Sequence, residues 1–168
     1  VLFADLTNFT RLSAKIGAEE THAILNRYFD LVDRIIESYG GRVDKHIGDN
    51  VMAVFGAPTA HDDDSLRAVL AAVDIHERMA SLPTYSGDSL QAHIGIASGQ
   101  VVASGTGSVA HHEYTVTGEA VNLASRLESL NKEYETDTCI SQSTLDAAGD
   151  GWLVRYLDLV IVKGKSAP

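Results

Sequence analysis

The sequence of 168 residues is long enough for one domain with a sizeable core, and its 45% hydrophobic and 21% charged composition is globular, not disordered or fibrous. A net charge of −10 argues against broad electrostatic binding of nucleic acid or an anionic membrane, but leaves room for a polyanion whose charge is met by metal ions. The lone Cys139 excludes an internal disulfide framework, and no run approaches the roughly 18 uninterrupted apolar residues of a membrane helix.

Residues 1–6, an apolar run with the acid Asp5 near its end, predict a strand and leave no signal peptide to read. Residues 7–10 form a polar turn able to start a helix. A long amphipathic helix is predicted over 18–39 through Ile24, Leu25, Phe29, Val32, Ile35 and Ile36, stopped by Gly40-Gly41. Residues 42–55 predict a β-hairpin turning at Gly48-Asp49-Asn50. His61, Asp62, Asp63 and Asp64 then open a second long helix reaching about Met79, with the acids at the positive end of its dipole. Strands over 91–97 and 100–104 follow, joined through Ser98-Gly99. Beyond a glycine-rich loop, a short β-branched strand from Tyr114 breaks at Gly118 and passes into a helix. Its Ala120, Leu123, Ala124, Leu127 and Leu130 share an apolar stripe that should be buried. A tail of strand (138–140), helix (142–147) and two strands (152–156 and 157–162) completes the chain. The order predicts an α+β fold with a ferredoxin-like βαββαβ core, an antiparallel sheet with helices on one face, and a C-terminal αβ extension. Both ends read as cut, so the expectation is a single domain, 1–168, excised from a longer protein.

Because such a fold hosts many functions, function must come from side chains. Asn122 and Arg126 lie four apart on their helix and project together. An amide beside a guanidinium fork can grip a phosphoryl group, and it can equally be an ordinary surface pair. Asp5 ends the first strand and Asp49 sits at the hairpin tip. In a split βαβ sheet the two would face each other across one strand spacing, about 5 Å. Each could merely cap a turn; together, hard oxygen ligands at that spacing suit Mg²⁺ or Mn²⁺ shared with substrate phosphates. Thr7, Asn8, Phe9 and Thr10 precede Arg11 at a helix start, where backbone N–H groups offer a phosphate seat. Metal, phosphate seat and arginine pair point to a nucleotide triphosphate. Val43, Lys45 and Ile47 share one face of the hairpin by alternation, so Lys45 either snorkels to water or makes a directed bond to a ligand. His46 alternates to the other face and is excluded. His111-His112-Glu113 reads as a solvated loop, Asp62 to Asp64 as a helix start, and Cys139 as a small apolar strand residue.

Phe3-Ala-Asp-Leu-Thr-Asn-Phe-Thr10, Lys45-His-Ile-Gly-Asp49 and Tyr114-Thr-Val-Thr-Gly-Glu-Ala-Val-Asn-Leu-Ala-Ser-Arg126 together resemble the signature segments of the class III nucleotide cyclase catalytic domain. Each motif is weak alone; all three stand in the right order and spacing, and the match covers essentially the whole chain. The resemblance implies that Asp5 and Asp49, helped by the backbone carbonyl of Leu6, hold two Mg²⁺ or Mn²⁺ ions. It assigns Lys45 and Thr115 to the purine base, Asn122 and Arg126 to the ribose and transition state, and Lys163 to the terminal phosphates. It also implies a homodimer whose active sites each take residues from both chains. Asn8 departs from the glycine usual in the phosphate-seat turn, and Ser104 from a glycine common after the fourth strand. Asparagine tolerates left-handed backbone, so the turn should survive.

The base-reading pair has its own chemistry. Adenine offers an acceptor at N1 and a donor at its 6-amino group; lysine donates and a threonine hydroxyl can accept, so the pair complements ATP. Guanine would call for an acidic partner. The threonine form resembles the bacterial and soluble-type subgroup often stimulated by bicarbonate. The expectation is an adenylate cyclase acting on ATP in the cytoplasm, linked covalently to a regulatory domain. A guanylate cyclase would prefer GTP, and a non-catalytic cyclase-derived module would have lost Asp5, Asp49, Asn122 or Arg126.

Overall fold

The computed structural model describes the backbone of residues 1–83, 87, 89–108 and 111–157, and the side chains of these except 106–108 and 111–114. Strands β1 (Leu2–Leu6), β2 (Arg42–Ile47), β3 (Asn50–Val54), β4 (Ala92–Ile96) and β7 (Thr138–Ile140) form one sheet in the order β2-β3-β1-β4-β7. β1 pairs antiparallel with both β3 and β4, so the first strand is central as expected, and β7 joins β4 in parallel. β5 (Val102–Ser108) and β6 (His111–Thr117) pair separately as a two-stranded ribbon. The expected strand over 100–104 is thus longer, and it leaves the main sheet.

Helix α2 (Ala18–Ser38) buries Ile24, Tyr28, Val32, Ile35 and Ile36, positions recurring every three or four residues. It ends in a Schellman motif: Gly40 N–H donates to the Glu37 carbonyl and Gly41 N–H to that of Ile36, both at 2.9 Å, with Gly40 at φ 75°. Helix α3 (Asp64–Met79) buries Ala68, Ala71, Ala72, Ile75 and Met79 beside it. Both pack on the sheet face that carries Leu2, Ala4, Leu6, Val51 and Ala53. The short helix α1 (Phe9–Ser13) leads into α2, and α5 (Gln142–Ala148) follows β7.

Helix α4 (Glu119–Tyr134) lies on the opposite face, with Phe3, Met52, Val54 and Ala97, so the expectation of helices on one face only is corrected. The buried stripe of α4 is Ala120, Ala124, Glu128 and Asn131 instead of the predicted leucines; Leu123 and Leu127 are half-buried at its flanks. Small residues win because the helix sits very close to β4. A Cβ on Gly95 would fall 2.2 Å from both the Ala124 carbonyl oxygen and the Glu128 nitrogen. The Asn131 amide fixes the far end, donating to the Ile94 carbonyl at 2.9 Å.

After α5 the chain runs through residues 151–157 without the strand expected at 152–156, and Trp152 packs against the core. The strand expected at 157–162 falls almost wholly outside the described residues. Among the described residues no helix is long and apolar enough to cross a membrane.

Candidate active site

Asp5 follows Phe3 on the α4 face of β1 and pairs in register with Asn50, whose chain neighbour is Asp49. Asp49 stands in the two-residue turn after Gly48, whose φ of 67° lets the hairpin close. Burial, then the Asp49 charge, push the Asp5 carboxyl up to about 6, against a hydrogen bond from Asn50 that favours ionisation. Among the described residues, Asn50 Oδ1 and Thr7 Oγ1 are buried without a hydrogen-bond partner, and Asn50 stands in register with Asp5, so an unmatched acceptor lies beside two mutually repelling carboxylates. That oxygen-rich set fits a hard divalent cation. Asp5 and Asp49 are its natural holders; among the described residues no third acid, histidine or cysteine completes a cluster with them.

The turn after β1 keeps its backbone: Asn8 takes φ 58° and ψ 19°, the left-handed conformation asparagine tolerates, and its carbonyl accepts from Arg11 and Leu12 N–H at 3.1 and 3.0 Å. Leu6 is buried, Phe9 is half-buried, and Thr10 is exposed just inside α1.

Lys45 corrects the simple alternation of β2. The register runs Val43↔Ala53 and then Lys45↔Met52, leaving Asp44 as the extra residue of a β-bulge. Val43 therefore faces α2 and α3, while Lys45 and Ile47 turn with Met52 and Asn50 toward the α4 face. His46 faces α2, the side opposite Lys45 as expected, where it hydrogen-bonds Asp33 at 3.0 Å and stacks on Phe29 at 4.1 Å. The bulge carries Asp44 inward, its side chain only 4% exposed. Asp44 Oδ2 accepts from the Thr115 hydroxyl at 2.6 Å and lies 3.6 Å from Lys45 Nζ. Lys45 and Thr115, distant in sequence, thus meet at one carboxylate.

On α4, Asn122 is exposed and Arg126 half-buried one turn later, on a flank away from the Ala120–Ala124 stripe. Lys163 and the side chains of His111, His112 and Glu113 lie outside the described residues. Cys139 is buried in β7 as expected.

Sequence reasoning passes over three residues. Asp44 is a charged residue inside a strand pattern, and only the bulge reveals its contacts with Thr115 and Lys45. Asn50 reads as turn, yet it is the partner of Asp5. Glu128, 8% exposed on α4, has its carboxyl raised to about 7, first by burial and then by the Asp5 charge. Its signal is a carboxylate four residues beyond a small alanine on the stripe facing the sheet.

A family model described as "Adenylate and Guanylate cyclase catalytic domain" matches residues 1–168. The chain is 36% identical over 174 residues to the "Adenylate cyclase, terminal-differentiation specific" of Dictyostelium discoideum, covering 99% of the chain and 8% of that protein. It is 32% identical to "Adenylate cyclase 1" of Rhizobium meliloti, over 98% of the chain and 25% of that protein. Among solved structures, the adenylyl cyclase CyaB from P. aeruginosa superposes with a TM-score of 0.87 at 32% identity, covering 99% of this chain and 88% of that one. The guanylate cyclase domain of RhGC from Catenaria anguillulae, in complex with GTP, gives a TM-score of 0.86 at 34% identity, with 99% and 90% covered. The chain spans well under a third of the length of these two curated relatives.

Proposed function

Because the chain belongs to the adenylate and guanylate cyclase catalytic domain family and is a nucleotide cyclase domain, we propose that it converts ATP to 3′,5′-cyclic AMP and pyrophosphate at sites shared between two copies. The observation that carries the choice of ATP is the meeting of Lys45 and Thr115 at Asp44. Lysine donates to adenine N1 and the threonine oxygen accepts from the 6-amino group.

In the reaction the ribose 3′-oxygen attacks the α-phosphorus in line. A 3′-O–P bond forms, the bond to the β-phosphate oxygen breaks with its electron pair leaving on pyrophosphate, and the hydroxyl proton passes to water or substrate. Asp5 and Asp49, with the Leu6 carbonyl, would hold divalent cations, and the raised Asp5 carboxyl supports this because a cation would restore its charged form. The chemistry such ions supply is a lowered pKa for the attacking hydroxyl and neutralised charge on the leaving group. Asn8, Phe9 and Thr10 seat phosphate oxygens through the backbone at the start of α1. Asn122 orients the ribose and Arg126 meets charge growing on the α-phosphoryl oxygens. Lys163 would steady the terminal phosphates.

The shared site rests on Asn122 being exposed beside the half-buried Leu123 and Leu127, a flank suited to a second copy. A cytosolic setting and a covalently linked regulatory domain belong to the same proposal, and the greater length of the relatives leaves room for the latter.

The decisive measurement is to incubate the purified domain with Mn²⁺ and either ATP or GTP and to identify the product. Cyclic AMP formed in preference to cyclic GMP is expected; the reverse preference overturns the choice of ATP.

A further inference from the structure

We propose that Asp44 sets base specificity by fixing the polarity of Thr115: it takes the threonine hydroxyl's proton in a hydrogen bond, so toward the base Thr115 can only accept. The inference deepens the assignment of Lys45 and Thr115 to the purine and rests on that reading.

A threonine hydroxyl has one proton and two lone pairs, and which of them faces a ligand depends on where the proton points. A freely rotating hydroxyl can accept from a 6-amino group or donate to a 6-oxo group, so it reads neither. Here Thr115 Oγ1 donates to Asp44 Oδ2 at 2.6 Å, a short bond of the charge-assisted kind. Asp44 lies 3.6 Å from the Lys45 ammonium, as an ionised acceptor would. A carboxylate in that state has no proton to donate in return, so only lone pairs of Thr115 remain for the base. Adenine then finds an acceptor opposite its amino group, whereas guanine sets its oxygen against another oxygen.

The backbone makes the arrangement possible. In a regular strand residues 44 and 45 would point to opposite faces. The bulge between Val43 and Lys45 lets Lys45 keep its place opposite Met52 while Asp44 is carried inward beside it. Asp44 lines a small pocket with Arg42, Val54, Ala57 and Val116, and its side chain is shielded from water where the Thr115 hydroxyl meets it. Asp44 touches no proposed reacting atom; it is a positioning residue that works through Thr115.

The test compares kcat/KM for ATP and GTP in the unaltered protein, D44N, T115V and the double variant, with melting temperatures as the check on folding. The amide that D44N introduces keeps the carboxylate's shape but can donate, which frees Thr115 to turn its proton toward the base. D44N should lower the ATP:GTP ratio about tenfold, chiefly through KM. In the T115V background the same change should move the ratio less than about twofold, because the hydroxyl it acts through is gone. An unchanged ratio in folded D44N, or an equal effect with and without the Thr115 hydroxyl, overturns the proposal. If D44N does not fold, the unaltered protein decides with triphosphates of purine riboside and of 6-methoxypurine riboside, which both keep the N1 acceptor. The expected order is 6-amino, then 6-hydrogen, then 6-methoxy; a 6-methoxy substrate at least as good as the 6-hydrogen one overturns it. A preference for GTP in the unaltered protein would instead remove the ATP reading itself, so the two failures are distinguishable.

Discussion

Glu128 and Asp5 are two carboxyls whose charged form burial disfavours. The Glu128 carboxyl is raised to about 7, and that of Asp5 to about 6, in each case first by burial and then by a neighbouring carboxylate's charge. For such a group the folded state holds a proton that the unfolded chain has already released. Stability therefore falls as pH rises from the ordinary carboxylate range toward 7, and the cost is complete above it. Glu128→Gln removes Glu128's share of that slope and leaves that of Asp5. In metal-free protein it should raise stability by about 1–3 kcal/mol at pH 8 and change little at pH 5, read by thermal or urea unfolding at both pH values. A variant equally stabilised at the two pH values would mean that packing, not ionisation, is at work.

Among the elements, α4 carries Asn122 and Arg126, and its position is set by β4. It approaches β4 so closely that Gly95 admits no side chain: the added carbon would meet backbone of α4, which cannot swing away as a flexible side chain could. Gly95→Ala should cost about 1–3 kcal/mol of stability, measured by urea unfolding, and should lower cyclase activity in protein that still folds, since Asn122 and Arg126 move with the helix. How much of this is legible in the sequence follows from the kind of signal each element gives. The α2 periodicity and the paired glycines after it predict their helix and its end, because burial on a 3.6-residue repeat leaves a plain mark. The stripe of α4 misleads because close helix–sheet approach favours alanine over leucine, which depends on a glycine in another strand. The faces of β2 mislead because a bulge shifts the phase of alternation and has no compositional mark. The left-handed Asn8 is readable, because few other residues accept that conformation.

At the scale of the whole molecule, the proposed dimer divides labour between copies, with Asp5 and Asp49 from one chain and Lys45, Thr115, Asn122 and Arg126 from the other. Asp5→Ala and Arg126→Ala should each lower cyclase activity by about 100-fold or more when assayed alone. Mixed in equal amounts and allowed to exchange, half the dimers pair one variant with the other, and each such dimer has one intact site. Activity should therefore recover to about a quarter of that of the unaltered protein. Two folded, dimerising variants that stay inactive together would sink the shared site while leaving the family assignment untouched. The acidic surface bears on this assay too: a net charge of −10 makes association of like copies more favourable as ionic strength rises, so exchange should be run at physiological salt.

The irregularity at Asp44 also bears on how freely β2 can vary. Without the bulge, with Asp44 paired in a regular ladder, Val43 and Lys45 would share a face and a single rule would govern both. With it, Val43 answers to the helices of one layer, while Lys45 and Ile47 answer to the layer beyond the sheet. A change at Val43 is judged by helix packing, and a change at Lys45 by its ion pair with Asp44 and the proposed contact with the base. A single short strand thereby holds two independent sets of constraints; deleting Asp44 would leave Val43 and Lys45 on their opposite faces and remove only the carboxylate between them.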